Sequence, residues 1–418
     1  MQAQTVSLDS DWFKGTIVGR TLESSNRFQR KFKGRIEDVW MPPNEFFREL
    51  SSYIWDTTES YEQDHWVLFF GYEGSGKSSA SMMTWDNIIK LRNEFYEEKL
   101  EPLNWILNDV VLMQSEYART LYNFSKNPGI GLQHPIIVDD AHYIFGKYLG
   151  QTAETMSLLQ IARFARSQQV IHILNTQTPQ QLFSDIWRER VNTYVYCFST
   201  KVVSSETGRI KSRWMYAAFY NEETSQWLRE DKIIRKPLFW RKILDRHPPD
   251  LITRFDVLFP QYTQLYNQYK TIKKFYREFY QYLRFMGVVK GRHFEIIFRL
   301  MAQIAQAAQL GTGYSLQEIM HEFLKRVPEP TIRKLQEYGV IYSEPDPTGQ
   351  YKKRYYLDRE LHLMAEKYAE VITWRSRILG TAEGSGIPAI KFIGGLDEDD
   401  DWKDDLDDDD KRFKDLPV

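Results

Sequence analysis

Cysteine is almost absent: Cys197 is the single one in 418 residues. That excludes a disulfide framework and a cysteine-built zinc site, and it fits a reducing compartment. Histidine is scarce as well, eight in all, with no pair at the H-E-x-x-H spacing of a helical zinc site. There is no G-x-S-x-G nucleophile elbow and no kinase catalytic loop. No apolar run approaches the length of a membrane span. Met1-Gln2-Ala3-Gln4 opens the chain without the basic and then apolar stretches of a signal peptide. A cytoplasmic protein with no membrane partner is therefore expected.

What is present is an ordinary globular mixture, 42% hydrophobic and 27% charged, at a length that suits two or three domains. The net charge of −2 hides an asymmetry. Residues 397–418 hold twelve acids and four bases, a charge of −8, which leaves +6 on the rest of the chain. A modestly basic body with an acidic tail suits an anionic partner.

The most specific stretch is Gly71-Tyr72-Glu73-Gly74-Ser75-Gly76-Lys77-Ser78, which fits the phosphate-binding pattern G-x-x-x-x-G-K-[ST]. The apolar, β-prone run Trp66–Phe70 precedes it, and Ser79 to Arg92 reads as helix. Strand, glycine-rich loop and helix is the context this chemistry needs. Glycines let backbone N–H groups curl around phosphate oxygens, and the helix N-terminus adds partial positive charge. Gly71, Glu73, Gly74, Ser75, Gly76, Lys77, Ser78 and Ser79 are thus the candidate ATP-binding residues. Lys77 would reach the β- and γ-phosphates, and the Ser78 hydroxyl would ligate Mg2+.

Pro135-Ile136-Ile137-Val138-Asp139-Asp140 fits a Walker B strand, four apolar residues ending in acid. Asp139 would hold Mg2+ through water, together with Ser78. Asp140 stands where a second acid, commonly glutamate, orients the attacking water; it is shorter by one methylene. Around these motifs strand and helix candidates alternate. Trp105–Leu112 reads as strand, Ser115–Phe124 as helix, Glu154–Gln168 as amphipathic helix, and Val170–Asn175 and Thr193–Phe198 as strands. Such alternation implies an α/β fold with a mainly parallel sheet and a ligand site at the carboxyl ends of the strands. The strand after Walker B closes in Asn175-Thr176-Gln177, where a polar group can sense the γ-phosphate or place water. Arg209–Tyr220 reads as an added strand or hairpin arm.

The flanks are read more coarsely. Arg27–Arg35 interleaves bases with aromatics, which suits either a half-basic strand or a nucleic-acid grip. Met41–Asn44 is a turn or linker signal. Leu265, Tyr269, Ile272, Tyr276, Phe279, Leu283 and Met286 form a heptad seam on one long helix. Lys270, Lys273, Lys274 and Arg277 lie off that seam and read as a solvated face. Helices are expected over Gly291–Leu310, from the capping box Ser315–Glu318 to Leu324, and over Pro330–Tyr338. Strands follow at Val340–Tyr342 and Arg354–Leu357, then a helix over Leu361–Leu379. Three helices and a β-hairpin resemble a winged helix-turn-helix. That likeness puts Thr331, Arg333 and Lys334 toward a DNA groove and Lys352, Lys353 and Arg354 on phosphates. The expected organisation is an unassigned segment 1–50, a P-loop ATPase domain 51–235, a helical linker 236–288, a winged-helix domain with a trailing helix 289–379, and a linker with a disordered acidic tail 380–418.

The stretch Arg166-Ser167-Gln168-Gln169-Val170-Ile171-His172-Ile173-Leu174-Asn175-Thr176-Gln177-Thr178-Pro179 resembles a segment of FtsK/HerA-type DNA-pumping ATPases. There an arginine near a helix end precedes an apolar strand that closes in Thr-Gln and soon Pro. Asp139-Asp140-Ala141-His142 stands at that family's acidic Walker B ending, and the departure is at Asp140. The same string also resembles a helicase box, but the glycine–arginine motif of those helicases is missing. The likeness covers roughly residues 60–200. It implies a RecA-like P-loop NTPase fold, a homo-oligomeric ring, often a hexamer, and duplex DNA as substrate. Lys77, Asp140 and Gln177 would then be catalytic, with Arg166 completing a neighbour's site; Arg163, Arg188 and Arg190 are the other arginine candidates. A DNA motor, an ATP-dependent regulator or initiator with slow hydrolysis, and an ATP-binding structural subunit all remain compatible with these residues.

Overall fold

In the computed structural model the described residues are 40–126, 128–147, 168–203, 210–230, 243–255, 263–288, 291–310, 315–349 and 352–378. The basic-aromatic stretch Arg27–Arg35, the helix expected over Glu154–Gln168 (all but its last residue), and the 380–418 linker and tail lie outside them.

Pro43–Tyr61 forms helix α1, with Pro43 at its first position, where a missing N–H costs nothing. His65–Phe70 is β1, followed by the loop 71–76 and then α2, Lys77–Phe95. Trp105–Leu112 does not form the expected strand. Pro102 starts a helix there, α3 (Pro102–Asp109), and only Val110–Val111 extends, as β2. The buried Asp109 at the end of α3 accepts from Trp85 Nε1 at 3.0 Å and sits 2.7 Å from His134 Nε2. Gln114–Lys126 is α4, and Pro135–Val138 is β3. Then come β4 (Ile171–Thr176), β5 (Thr193–Val203) and β6 (Ile210–Tyr220). Glu222–Glu230 forms α5 and Leu251–Phe255 forms β7, a strand with no clear sequence signal.

These seven strands form one sheet in the order β2-β3-β4-β1-β5-β6-β7. The first five are parallel, and β6 and β7 add antiparallel pairs. A strand of later sequence, β4, lies between β1, which leads into the glycine-rich loop, and β3, which leads into Asp139; this is the RecA-like arrangement. β1 is buried along its whole length. Its side chains alternate between two apolar layers: Val67 and Phe69 face α1 and α2, while Trp66, Leu68 and Phe70 face the layer of Tyr117, Ile144 and Phe145. Burial holds His65 and His172 neutral, down to about 3, and His172 stacks on Trp66.

Thr263–Phe285 forms α6, with the expected seam buried from Leu265 to Leu283, while Met286 falls just past the helix end and is half-buried. Gly291–Leu310 is α7, Leu316–Leu324 is α8 and Glu329–Glu337 is α9. Ser315 and Glu318 make the expected reciprocal cap on α8. Ile341–Pro345 and Lys353–Leu357 pair as β8 and β9. The last segment breaks at Tyr368 into α10 (Arg359–Lys367) and α11 (Ala369–Ile378) rather than running as one helix. The layer over α1 and α2 continues without interruption into α6, α7 and the β8–β9 region, so packing crosses positions 50 and 288. Thr331 is buried, not groove-facing, because it lies on the core side of α9 beside Leu335.

Candidate functional site

The loop 71–76 starts where β1 ends, at the carboxyl edge of the parallel strands. Gly71 has φ +148°, and an added Cβ would fall on the Cys197 carbonyl oxygen of the neighbouring β5. Gly76 has φ +89°, and a Cβ there would stand 2.6 Å from Met215 Sδ. Both positions need glycine, for conformation and for space. The Gly71 N–H donates to the Gln177 carbonyl at 3.2 Å, which ties the loop to the end of β4. Gly74 is also left-handed, at φ +72°. Glu73 and Gly74 are exposed, whereas Ser75 and Ser79 are buried.

Lys77 Nζ donates to the carbonyls of Gly71 (2.8 Å) and Tyr72 (2.9 Å), so it folds back over the loop. Burial, joined by the Lys273 charge and opposed by nearby acids, leaves its pKa below the usual lysine range. Burial pushes the Cys197 thiol beneath the loop up to about 12. Ser75 Oγ is buried and makes no hydrogen bond with any of the described residues. A donor of this kind inside a glycine cradle fits a phosphate oxygen.

Asp139 follows β3 and is buried. Asn175 Nδ2, at the end of β4, donates to Asp139 Oδ1 at 3.1 Å and to Ser81 Oγ at 2.9 Å. Ser81 in turn donates to the Ser78 carbonyl at 3.1 Å. Asn175 is therefore the β4 residue that positions the acid, while the Gln177 side chain is exposed and it is the main-chain carbonyl of Gln177 that meets the loop. Asp140 is partly exposed and takes a left-handed backbone at φ +47°, a costly conformation for a non-glycine residue.

The largest departure from expectation is Lys273, which does not lie on a solvated face. Its Nζ reaches across from α6 to 2.7 Å from Asp139 Oδ2, 3.3 Å from Asp140 Oδ2 and 3.4 Å from Ser78 Oγ. The buried Tyr269 lies one turn earlier, its hydroxyl beside Asp139 and Ser78. Burial pulls the Lys273 ammonium down, but Asp139 and Asp140 outweigh it and hold the group above the usual lysine range. For Asp139 burial acts upward, and Lys273 with Tyr269 and Asn175 reverses it, to below the usual carboxylate range. A signal was present in sequence: Lys273 is four residues from Tyr269, on the same side of the helix. Periodicity does not say that this side meets Asp139.

Arg166 and Arg163 lie outside the described residues. Arg190 is held 3.5 Å from Asp64, just before β1, and Arg188 is exposed. Both sit before β5 begins, at the opposite end of the parallel strands from the loop.

Among the described residues, no three His, Cys, Asp or Glu side chains gather as a metal cluster. One hydroxyl and one or two carboxylates suit Mg2+, which keeps several waters and takes its other ligands from substrate phosphates. The fold and this loop define the class: the chain has the fold of P-loop NTPases.

No family model matches the sequence, and no curated protein matches it. Solved structures do. The N-terminal domain of zonular occludens toxin from Neisseria meningitidis is 15% identical, with a TM-score of 0.26, over 38% of this chain and 84% of that domain. The genome packaging NTPase B204 from Sulfolobus turreted icosahedral virus 2, solved with ATP-gammaS, is 15% identical, with a TM-score of 0.25, over 39% of this chain and 94% of that one. Among the described residues no helix is long and apolar enough to cross a membrane.

Proposed function

We propose that this chain is a Mg2+-dependent ATPase that couples hydrolysis to translocation, packaging or remodelling of duplex DNA as a homo-oligomeric ring. The observation that carries the nucleotide part is the convergence of Ser78, Asp139 and Asn175 at the ends of α2, β3 and β4, beside the 71–76 loop. The loop and Lys77 hold the phosphates. Ser78, and Asp139 through water, hold Mg2+, which neutralises developing phosphate charge when bound. Asp140 and Gln177 orient the attacking water, and Arg166 of a neighbouring copy completes the site.

The DNA part rests on different features. α7, α8 and α9 followed by the β8–β9 hairpin have the element order of a winged helix, with Lys352 and Lys353 exposed on the hairpin. The body of the chain carries the +6 charge excess. A second reading, a DNA-associated nucleotide switch with slow hydrolysis, is favoured by one observation: Asp140 is a short acid already engaged by Lys273.

The test is γ-phosphate release against duplex length, run beside native mass. A motor gives turnover that rises with duplex length and a multimeric mass. A switch gives slow turnover indifferent to length. Salt should weaken the DNA response steeply in either case.

A further inference from the structure

Lys273 is not a surface lysine that happens to touch an acid. Polar contacts fix helix α6 on two faces. Tyr276 OH donates to the buried Glu116, Tyr282 OH donates to Asp358 at 2.7 Å, and Glu278 accepts from Lys367 at 2.9 Å and Tyr368 at 2.7 Å. Its seam, from Leu265 to Leu283, is buried in the layer shared with the sheet. A helix held in this way aims the Lys273 ammonium at a defined point. That point lies among Asp139, Asp140 and Ser78, the oxygens that fit Mg2+.

We infer that Lys273 is an internal cation that competes with Mg2+ for Ser78 and Asp139, so that loading the site with metal and nucleotide loosens helix α6. The inference rests on the Mg–ATP reading above. A divalent ion held by Ser78 and, through water, by Asp139 would stand within a few Å of the ammonium. Two cations at that spacing repel even at a high effective dielectric. The competition is reciprocal by linkage: the ammonium weakens Mg2+ binding, and Mg2+ weakens the seating of Lys273. Because α6 also holds Asp358, Lys367 and Tyr368 of the α10 region, the nucleotide site and the chain that follows it share one two-way contact. Tyr269, buried one turn earlier, has its hydroxyl beside the same Asp139 and Ser78.

The experiment titrates Mg2+ against binding of a fluorescent ATP analogue to the full chain, in wild type, Lys273→Ala, Lys273→Met and Lys273→Arg. The Mg2+ needed for half-saturation should fall on the order of tenfold in the Ala and Met variants. It should stay near wild type in the Arg variant, which keeps the charge. Half-saturation that is unchanged, or that needs more Mg2+, in folded Ala and Met variants overturns the inference, because Lys273 is then packing or a nucleotide ligand. Hydrogen exchange on wild type decides the matter even if the variants misfold. Amides of α6 around Tyr269–Tyr276 should exchange faster with Mg2+ and analogue, and equal or slower exchange overturns the inference. An analogue that binds no form at any Mg2+ level instead sinks the ATP reading itself.

Discussion

Acids and bases pair in two regions of this molecule, but not in the same solvent. Beside Tyr276 of α6, Arg375 meets Glu116 at 2.7 Å, with side chains only 2% and 3% exposed. On α9 Arg333 meets Glu329 at the same 2.7 Å, yet those side chains are 72% and 75% exposed. Lys334 with Glu337 is a second exposed pair. The buried pair joins α11 to α4, and Glu116 also accepts from the Leu112 and Met113 N–H groups ahead of α4. Burial therefore turns an ion pair into a positional device. The exposed pairs mainly offset the bases of α9, which leaves that face less positive than its sequence suggests.

Substitutions should separate the two regions sharply. Glu116→Ala or Arg375→Ala strands a buried charge and should cost about 3–5 kcal/mol of stability, read from urea unfolding. If each costs less than about 1 kcal/mol, the buried pair is no different from a surface one and the comparison fails. Arg333→Ala and Lys334→Ala should change stability by less than about 0.5 kcal/mol. If α9 grips DNA, each should also lower the salt slope of DNA binding by roughly one. Unchanged slopes would place the DNA contact elsewhere.

Much of the candidate site was legible because its residues are local in sequence. Gly71–Ser78 and Pro135–Asp140 each carry their own strand, turn and polar residues, and the strands formed close to where pattern placed them. What was not legible was non-local. Lys273 is 134 residues from Asp139 (273 − 139), and nothing in the heptad pattern fixes which element its helix approaches. Trp105–Leu112 misled because a short apolar run suits a helix turn as well as a strand, and Pro102 decided between them. β7 is half-buried at the sheet edge and has little periodic signal. Thr331 was assigned outward by likeness to a DNA-binding helix, whereas packing against the core decides which side of α9 turns in.

The central claim is that Gly71–Ser78 and Asp139 form the site of Mg2+-dependent ATP hydrolysis. Phosphate release by purified wild type, Lys77→Ala and Asp139→Ala, with Mg2+ and with chelator, tests it directly. Turnover should require Mg2+ and fall on the order of a hundredfold or more in both variants. Metal-dependent turnover that survives both substitutions would contradict the account.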